Sequence, residues 1–131
     1  MRAILLLAVA AVGLSGCAMS PTGNCNVTLV MLVSPVAATA DHAANPPGNQ
    51  VKFTAEGSPT APAGCPQPAY IVALRPAWAN PDPADIQISS ANDATNGVAT
   101  CERATNGAVT LTATTAVGST TLKNTATLTC K

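Results

Sequence analysis

The stretch Ala104–Cys130, ATNGAVTLTATTAVGSTTLKNTATLTC, decides the fold. Val109, Leu111 and Ala113 alternate with Thr110, Thr112 and Thr114. Successive side chains of a strand point to opposite faces, so one face is apolar and the other is threonine. Valine and threonine are β-branched and suit a pleated surface. The next segment repeats the pattern: Leu122, Ala126 and Leu128 share a face with Cys130, and Lys123, Thr125, Thr127 and Thr129 take the other. Asn124 interrupts the apolar face, which predicts a bulge or a strand start there. Ala116-Val117-Gly118-Ser119 supplies the turn between the strands, and Asn106-Gly107 favours a tight turn before the first. The pair reads as the closing hairpin of a β-sandwich.

Upstream, the same reasoning gives further strands. Asn26–Val33 puts Val27, Leu29, Met31 and Val33 on one face, with Val30 and Leu32 on the other. Ser34-Pro35 bends or ends it, because proline cannot donate to a ladder. Val36–Asn45 is alanine-rich and ambiguous, and Pro46-Pro47-Gly48-Asn49 is a turn. Gln50–Glu56 points Val51, Phe53 and Ala55 inward. Gly57–Pro68, rich in Pro, Gly and Ala, reads as a loop carrying Cys65. Tyr70–Leu74 is a strand by propensity; Pro76 then precedes Trp78, leaving one strand or two short ones open. Ile86 and Ile88 share a face, and Val98–Glu102 carries Cys101. ATNGVAT at Ala94–Thr100 recurs as ATNGAVT at Ala104–Thr110, a spacing that fits hairpin regularity. The expected core is Val51, Phe53, Trp78, Ile86, Ile88, Val109, Leu111 and Leu128. About seven short strands with turns between them, and no helix in the mature chain, spell an all-β, immunoglobulin-like antiparallel sandwich.

The chain of 131 residues is long enough for one domain. Only 9% of residues are charged and the net charge is zero, so nothing is basic enough for nucleic acid. Phe53, Tyr70 and Trp78 are the only aromatic residues. The core is therefore thin and aliphatic, and covalent support from cysteines is expected.

Met1-Arg2 and the apolar run Ala3–Leu14 read as a signal segment too short to span a bilayer. The run ends in Leu14-Ser15-Gly16-Cys17, which resembles the lipobox of bacterial lipoproteins. The resemblance implies cleavage before Cys17 and acylation of that cysteine. In such lipoproteins a non-acidic residue after the cysteine, here Ala18, implies the outer membrane. Residues 1–16 are thus the expected signal peptide, 17–24 a lipidated tether and 25–131 the sandwich. The seven residues Ala18–Asn24 reach at most about 25 Å when extended, so the domain stays close to the membrane.

The succession GNQVKFTA (Gly48–Ala55), Trp78, ADIQIS (Ala84–Ser89), NGVAT (Asn96–Thr100), NGAVTLTAT (Asn106–Thr114) and TATLTC (Thr125–Cys130) resembles the bacterial immunoglobulin-like domains of group 2. These occur in adhesins and other surface proteins. The resemblance spans roughly Val27 to Cys130. Cys65, Cys101 and Cys130 depart from its common pattern, as does the long Phe53–Trp78 connection. It implies a spacer or recognition module with no catalytic residues.

Four cysteines besides Cys17 allow three pairings. When successive strands alternate in direction, Cys25 and Cys65 fall at one end of the sandwich and Cys101 and Cys130 at the other. Bridged Cα atoms must come within about 7 Å. The expected bridges are Cys25–Cys65 and Cys101–Cys130. The loop Asp41–Asn49 then points away from the membrane and is a candidate contact surface.

Chemistry is sparse. His42 stands beside Asp41 without a nucleophile motif, and reads as a solvated loop residue. The cysteine gaps are too wide for paired zinc spacing. Glu56, Asp82, Asp85 and Asp93 lack a calcium-loop pattern and read as solvated turn acids, so no metal or other cofactor is expected. The expectation is a non-enzymatic, lipid-anchored module at the cell surface or in the periplasm. Two alternatives stand beside it: an accessory subunit docking on an envelope protein by strand addition, and a glycan-binding module stacking a sugar on Trp78.

Overall fold

A computed structural model describes residues 23–131. The expected signal peptide 1–16, the expected acylation position Cys17 and positions 18–22 of the expected tether lie outside the described residues. Among the described residues the chain forms ten strands and no helix.

The ten strands make seven passes along the molecule. The first pass is β1 (Thr28–Ser34) and β2 (Ala37–Ala40), the second β3 (Gln50–Lys52) and β4 (Thr54–Thr60), the third β5 (Val72–Leu74) and β6 (Ala77–Ala79). Then β7 (Ile86–Ile88), β8 (Val98–Cys101), β9 (Val109–Val117) and β10 (Thr120–Cys130) each make one. Successive passes run in opposite directions.

The first and third passes break at proline. Pro35 and Pro76 have no N–H to give a ladder, and on either side of each the chain belongs to a different layer. Thus β1 is antiparallel to β4, whereas β2 runs parallel beside β10. Likewise β5 pairs with β4, and β6 pairs with β9. One layer has the order β2-β10-β9-β6. The other is the second pass with its neighbours: β1 and β5 flank β4, while β8 and then β7 extend from β3. Phe53 alone separates β3 from β4, and its N–H donates to the Gly97 carbonyl at 2.8 Å. The result is an immunoglobulin-like β-sandwich.

The closing hairpin stands as the threonine alternation predicts. β9 and β10 pair without interruption from Val117↔Thr120 to Val109↔Leu128, around the two-residue turn Gly118-Ser119. Leu111, Ala113, Ala126 and Leu128 are buried, and the threonines between them are not. There is no bulge at Asn124. Its side chain faces the core and Nδ2 donates to the Met31 carbonyl of β1 at 2.7 Å, so the interruption of the apolar face is a cross-layer hydrogen bond.

One open reading is settled and two expectations are corrected. The ambiguous Val36–Asn45 contains a strand, Ala37–Ala40, on the edge of β10. Gly57–Thr60 belongs to β4 instead of opening a loop. Gly57 is there for proximity, since a Cβ would stand 2.8 Å from Leu29 Cδ2 on the neighbouring strand. Tyr70 and Ile71 precede β5 and are exposed.

The core lies between the layers. Phe53, Ile86, Leu111 and Leu128 are fully buried and Trp78 nearly so. Val51, Ile88 and Val109 are half-buried and pack against that cluster. The Phe53 and Trp78 rings meet at a centroid distance of 5.9 Å. Both expected bridges are present, Cys25–Cys65 with Cα atoms 5.7 Å apart and Cys101–Cys130 with 5.6 Å. They staple opposite poles.

Candidate functional site

Trp78 sits in the interior. Its indole N–H donates to Asn96 Oδ1 at 3.1 Å, and Asn96 Nδ2 donates to the carbonyls of Pro76 (3.0 Å) and Ala91 (2.9 Å). Asn96 is itself buried, so one amide satisfies the indole donor and the buried Pro76 carbonyl and ties them to the loop carbonyl of Ala91. A ring so enclosed presents no face to a sugar. The sequence places Asn96 in the ATNGVAT recurrence, and no local signal marks it as Trp78's partner. Since Trp78 is the chain's one tryptophan, acrylamide is expected to quench the native emission weakly and the unfolded emission strongly. Strong native quenching would put the ring at the surface.

The pole that carries Cys101–Cys130 holds the Asp41–Asn49 loop, the turn before β7 and the turn before β9. The Asp41–Asn49 loop is built from its own backbone. Asp41 Oδ1 accepts from the Ala43 N–H at 2.9 Å, and Gly48 N–H donates to the Asn45 carbonyl at 2.8 Å. The His42 N–H donates to the Lys131 carbonyl, and Nδ1 of its ring faces the same oxygen. His42 is therefore a loop fastener in an exposed position. Asp82 and Asp85 shape the turn before β7, where the Asp85 N–H donates to the Asp82 carbonyl at 3.3 Å. Among the described residues no three His, Cys, Asp or Glu side chains converge as a metal site.

A groove of about 230 Å³ runs along the side of the sandwich where β4, β5 and the Asp93–Asn96 segment meet. Its cations are already engaged. Lys52 Nζ donates to the carbonyls of Ala94, at 2.7 Å, and Asn96. Arg75 Nη1 donates to the Asn92 carbonyl at 2.6 Å. The Thr95 hydroxyl (2.6 Å) and N–H (2.7 Å) both donate to Asp93 Oδ1 and hold its carboxyl below the usual range. The groove is smaller than the roughly 300–1,000 Å³ of typical small-molecule sites. Lys52, Arg75 and Asp93 order the segment before β8, and the fourth charged residue of the lining, Glu56, is exposed.

The opposite pole carries Cys25–Cys65, the Ala61–Ile71 connection and the β9–β10 turn. Val27, Tyr70, Ile71 and Val117 are exposed there. Val72 continues this apolar run onto β5, whose outer edge has no strand beside it among the described residues. Comparison with protein-family models, curated proteins and solved structures finds no match to this chain.

Proposed function

We propose that this protein is a lipid-anchored, non-catalytic immunoglobulin-like module of a bacterial envelope, serving structural support or recognition. The observation that carries the reading is the division of the cysteines. Both bridges close within the sandwich, which suits an exported domain and leaves Cys17 to the lipobox that precedes it. The domain begins at the bridged Cys25, a few residues after the acylation position. The fold agrees with the group 2 resemblance, and Ala18 favours the outer membrane.

A second reading has its own support. Among the described residues the β5 edge has no strand partner and lies beside exposed Tyr70, Ile71 and Val72, the form that strand addition by a partner subunit uses. A stable co-purifying envelope protein would favour it.

Intact mass of the protein extracted from membranes in detergent tests the main reading. The expected mass is that of residues 17–131 plus acyl groups, less four hydrogens, with the hydrogens regained on reduction. A soluble product without acyl mass would remove the anchor.

A further inference from the structure

Charge is distributed unevenly along the sandwich. Val30 of β1 lies opposite Ser58 of β4, and Thr28 lies opposite Thr60 at the Cys25 pole. The pole beyond that level is built from 23–30, 58–71 and 115–122, and none of these segments contains a charged residue. Asp41, Asp82, Asp85, Glu102, Arg103 and Lys131 belong to the other pole or the loops next to it. Lys52, Glu56, Arg75 and Asp93 stand at mid-height around the side groove, and Lys123 of β10, paired with Thr114, stands exposed just beyond the 115–122 segment. A water-facing end of a soluble domain is ordinarily rich in charge.

In place of charge, the Cys25 pole exposes apolar side chains. Val27, Tyr70, Ile71 and Val117 are 49%, 57%, 67% and 41% exposed. Between β1 and the β9–β10 hairpin a groove of about 240 Å³ opens, lined by Val27, Leu29, Val117 and Leu122 with Thr28 and Thr120. The rest of the pole is mostly threonine, proline, alanine and glycine, with the uncharged polar side chains of Asn24, Asn26, Ser58, Gln67 and Ser119.

We infer that this pole rests on the bilayer surface, with Val27, Tyr70, Ile71 and Val117 inserted into a zwitterionic lipid interface. The inference rests on acylation of Cys17. An anchor there, with Ala18–Asn24 reaching at most about 25 Å, holds this pole and not the charged one at the headgroups. Tyrosine suits that layer, having an apolar ring and a hydroxyl that stays wet. With no lysine or arginine in the pole, the contact does not depend on anionic lipid or ionic strength. The acyl chains supply the affinity and the pole supplies the orientation. The Asp41–Asn49 loop is then directed at the aqueous side.

The test uses the acylated full chain, its anchor verified by mass, in phosphatidylcholine nanodiscs carrying a headgroup spin label. Amide signals of Thr28, Ile71 and Gly118 are expected to lose most of their intensity while those of Asp41–Asn49 keep it. Adding anionic lipid or salt should change neither. Ile71→Glu with Val117→Glu should restore the pole signals in a chain whose acyl mass and spectral dispersion are unchanged. Equal broadening at both poles of an acylated chain would overturn the inference and leave the anchor standing. So would broadening that appears only with anionic lipid. Exchange protection of the pole without lipid would assign it to a second copy if it rises with concentration, or to a partner if it follows a co-purifying protein; either overturns the lipid contact. Absence of acyl mass would sink the anchor, and this inference with it.

Discussion

Gly97→Ala is expected to cost about 2–5 kcal/mol, and Gly107→Ala only about 1–2 kcal/mol. The two glycines occupy equivalent letters in ATNGVAT and ATNGAVT, and both take positive φ, +77° and +95°. A side chain in that conformation costs roughly 1–2 kcal/mol at either place. The difference is what the new methyl meets. At Gly107 nothing lies within 4 Å, whereas at Gly97 a Cβ would stand 2.2 Å from the Phe53 carbonyl oxygen. That oxygen belongs to the junction of β3 and β4, where the Phe53 N–H also bonds the Gly97 carbonyl. Backbone cannot step aside there without moving Phe53 from the core. Urea titration followed by Trp78 emission and far-ultraviolet circular dichroism reads both variants. Equal losses would mean that the close approach of Gly97 to Phe53 does not exist.

The same two segments mark where sequence reading stops. Their recurrence predicts turns; the first is a turn closed by the Val98 N–H on the Thr95 carbonyl, and the second is a bend at Asn106-Gly107. Yet Asn96 is buried under Trp78 while Asn106 is exposed. The letters are the same; the difference is a tryptophan many residues away that only the third pass delivers. Strand alternation was legible where one face was threonine and the other aliphatic, as in β9 and β10. It was silent in Ala37–Ala40, where alanine on both faces gives no contrast. It misled at Gly57–Thr60, because a glycine that admits Leu29 and a proline within a strand look like a turn. The disulfide pairing was legible although three of the seven passes are each divided into two strands. It depends on the direction of each pass, and breaking a pass at Pro35 or Pro76 does not reverse it. The apolar pole was half legible: each uncharged segment is plain in the sequence, but the topology brings the three to one end.

Removing Cys101–Cys130 by double Cys→Ser substitution is expected to cost more than removing Cys25–Cys65, about 4–6 against about 2–4 kcal/mol. Chain entropy alone gives the opposite order. The Cys25–Cys65 bridge spans 40 residues and the Cys101–Cys130 bridge 29, which favours the longer loop by only about 0.3 kcal/mol. Burial decides instead. Cys101 and Cys130 are each 1% exposed, at the ends of β8 and β10 in different layers, so serine leaves two hydroxyls in the core. A buried hydroxyl without a partner costs about 1–3 kcal/mol. Cys25 is exposed and Cys65 half-buried, so serines there remain hydrated. The Cys101–Cys130 bridge also secures the end where Cys101 N–H donates to the Asn49 carbonyl and Thr105 Oγ1 accepts from Cys130 N–H. Its loss should loosen the Asp41–Asn49 loop as well as destabilise the whole, which amide exchange in that loop would register. A larger loss from the Cys25–Cys65 pair would mean that restriction of the unfolded chain outweighs packing, and that the pole beside the tether depends on its bridge more than on its strands.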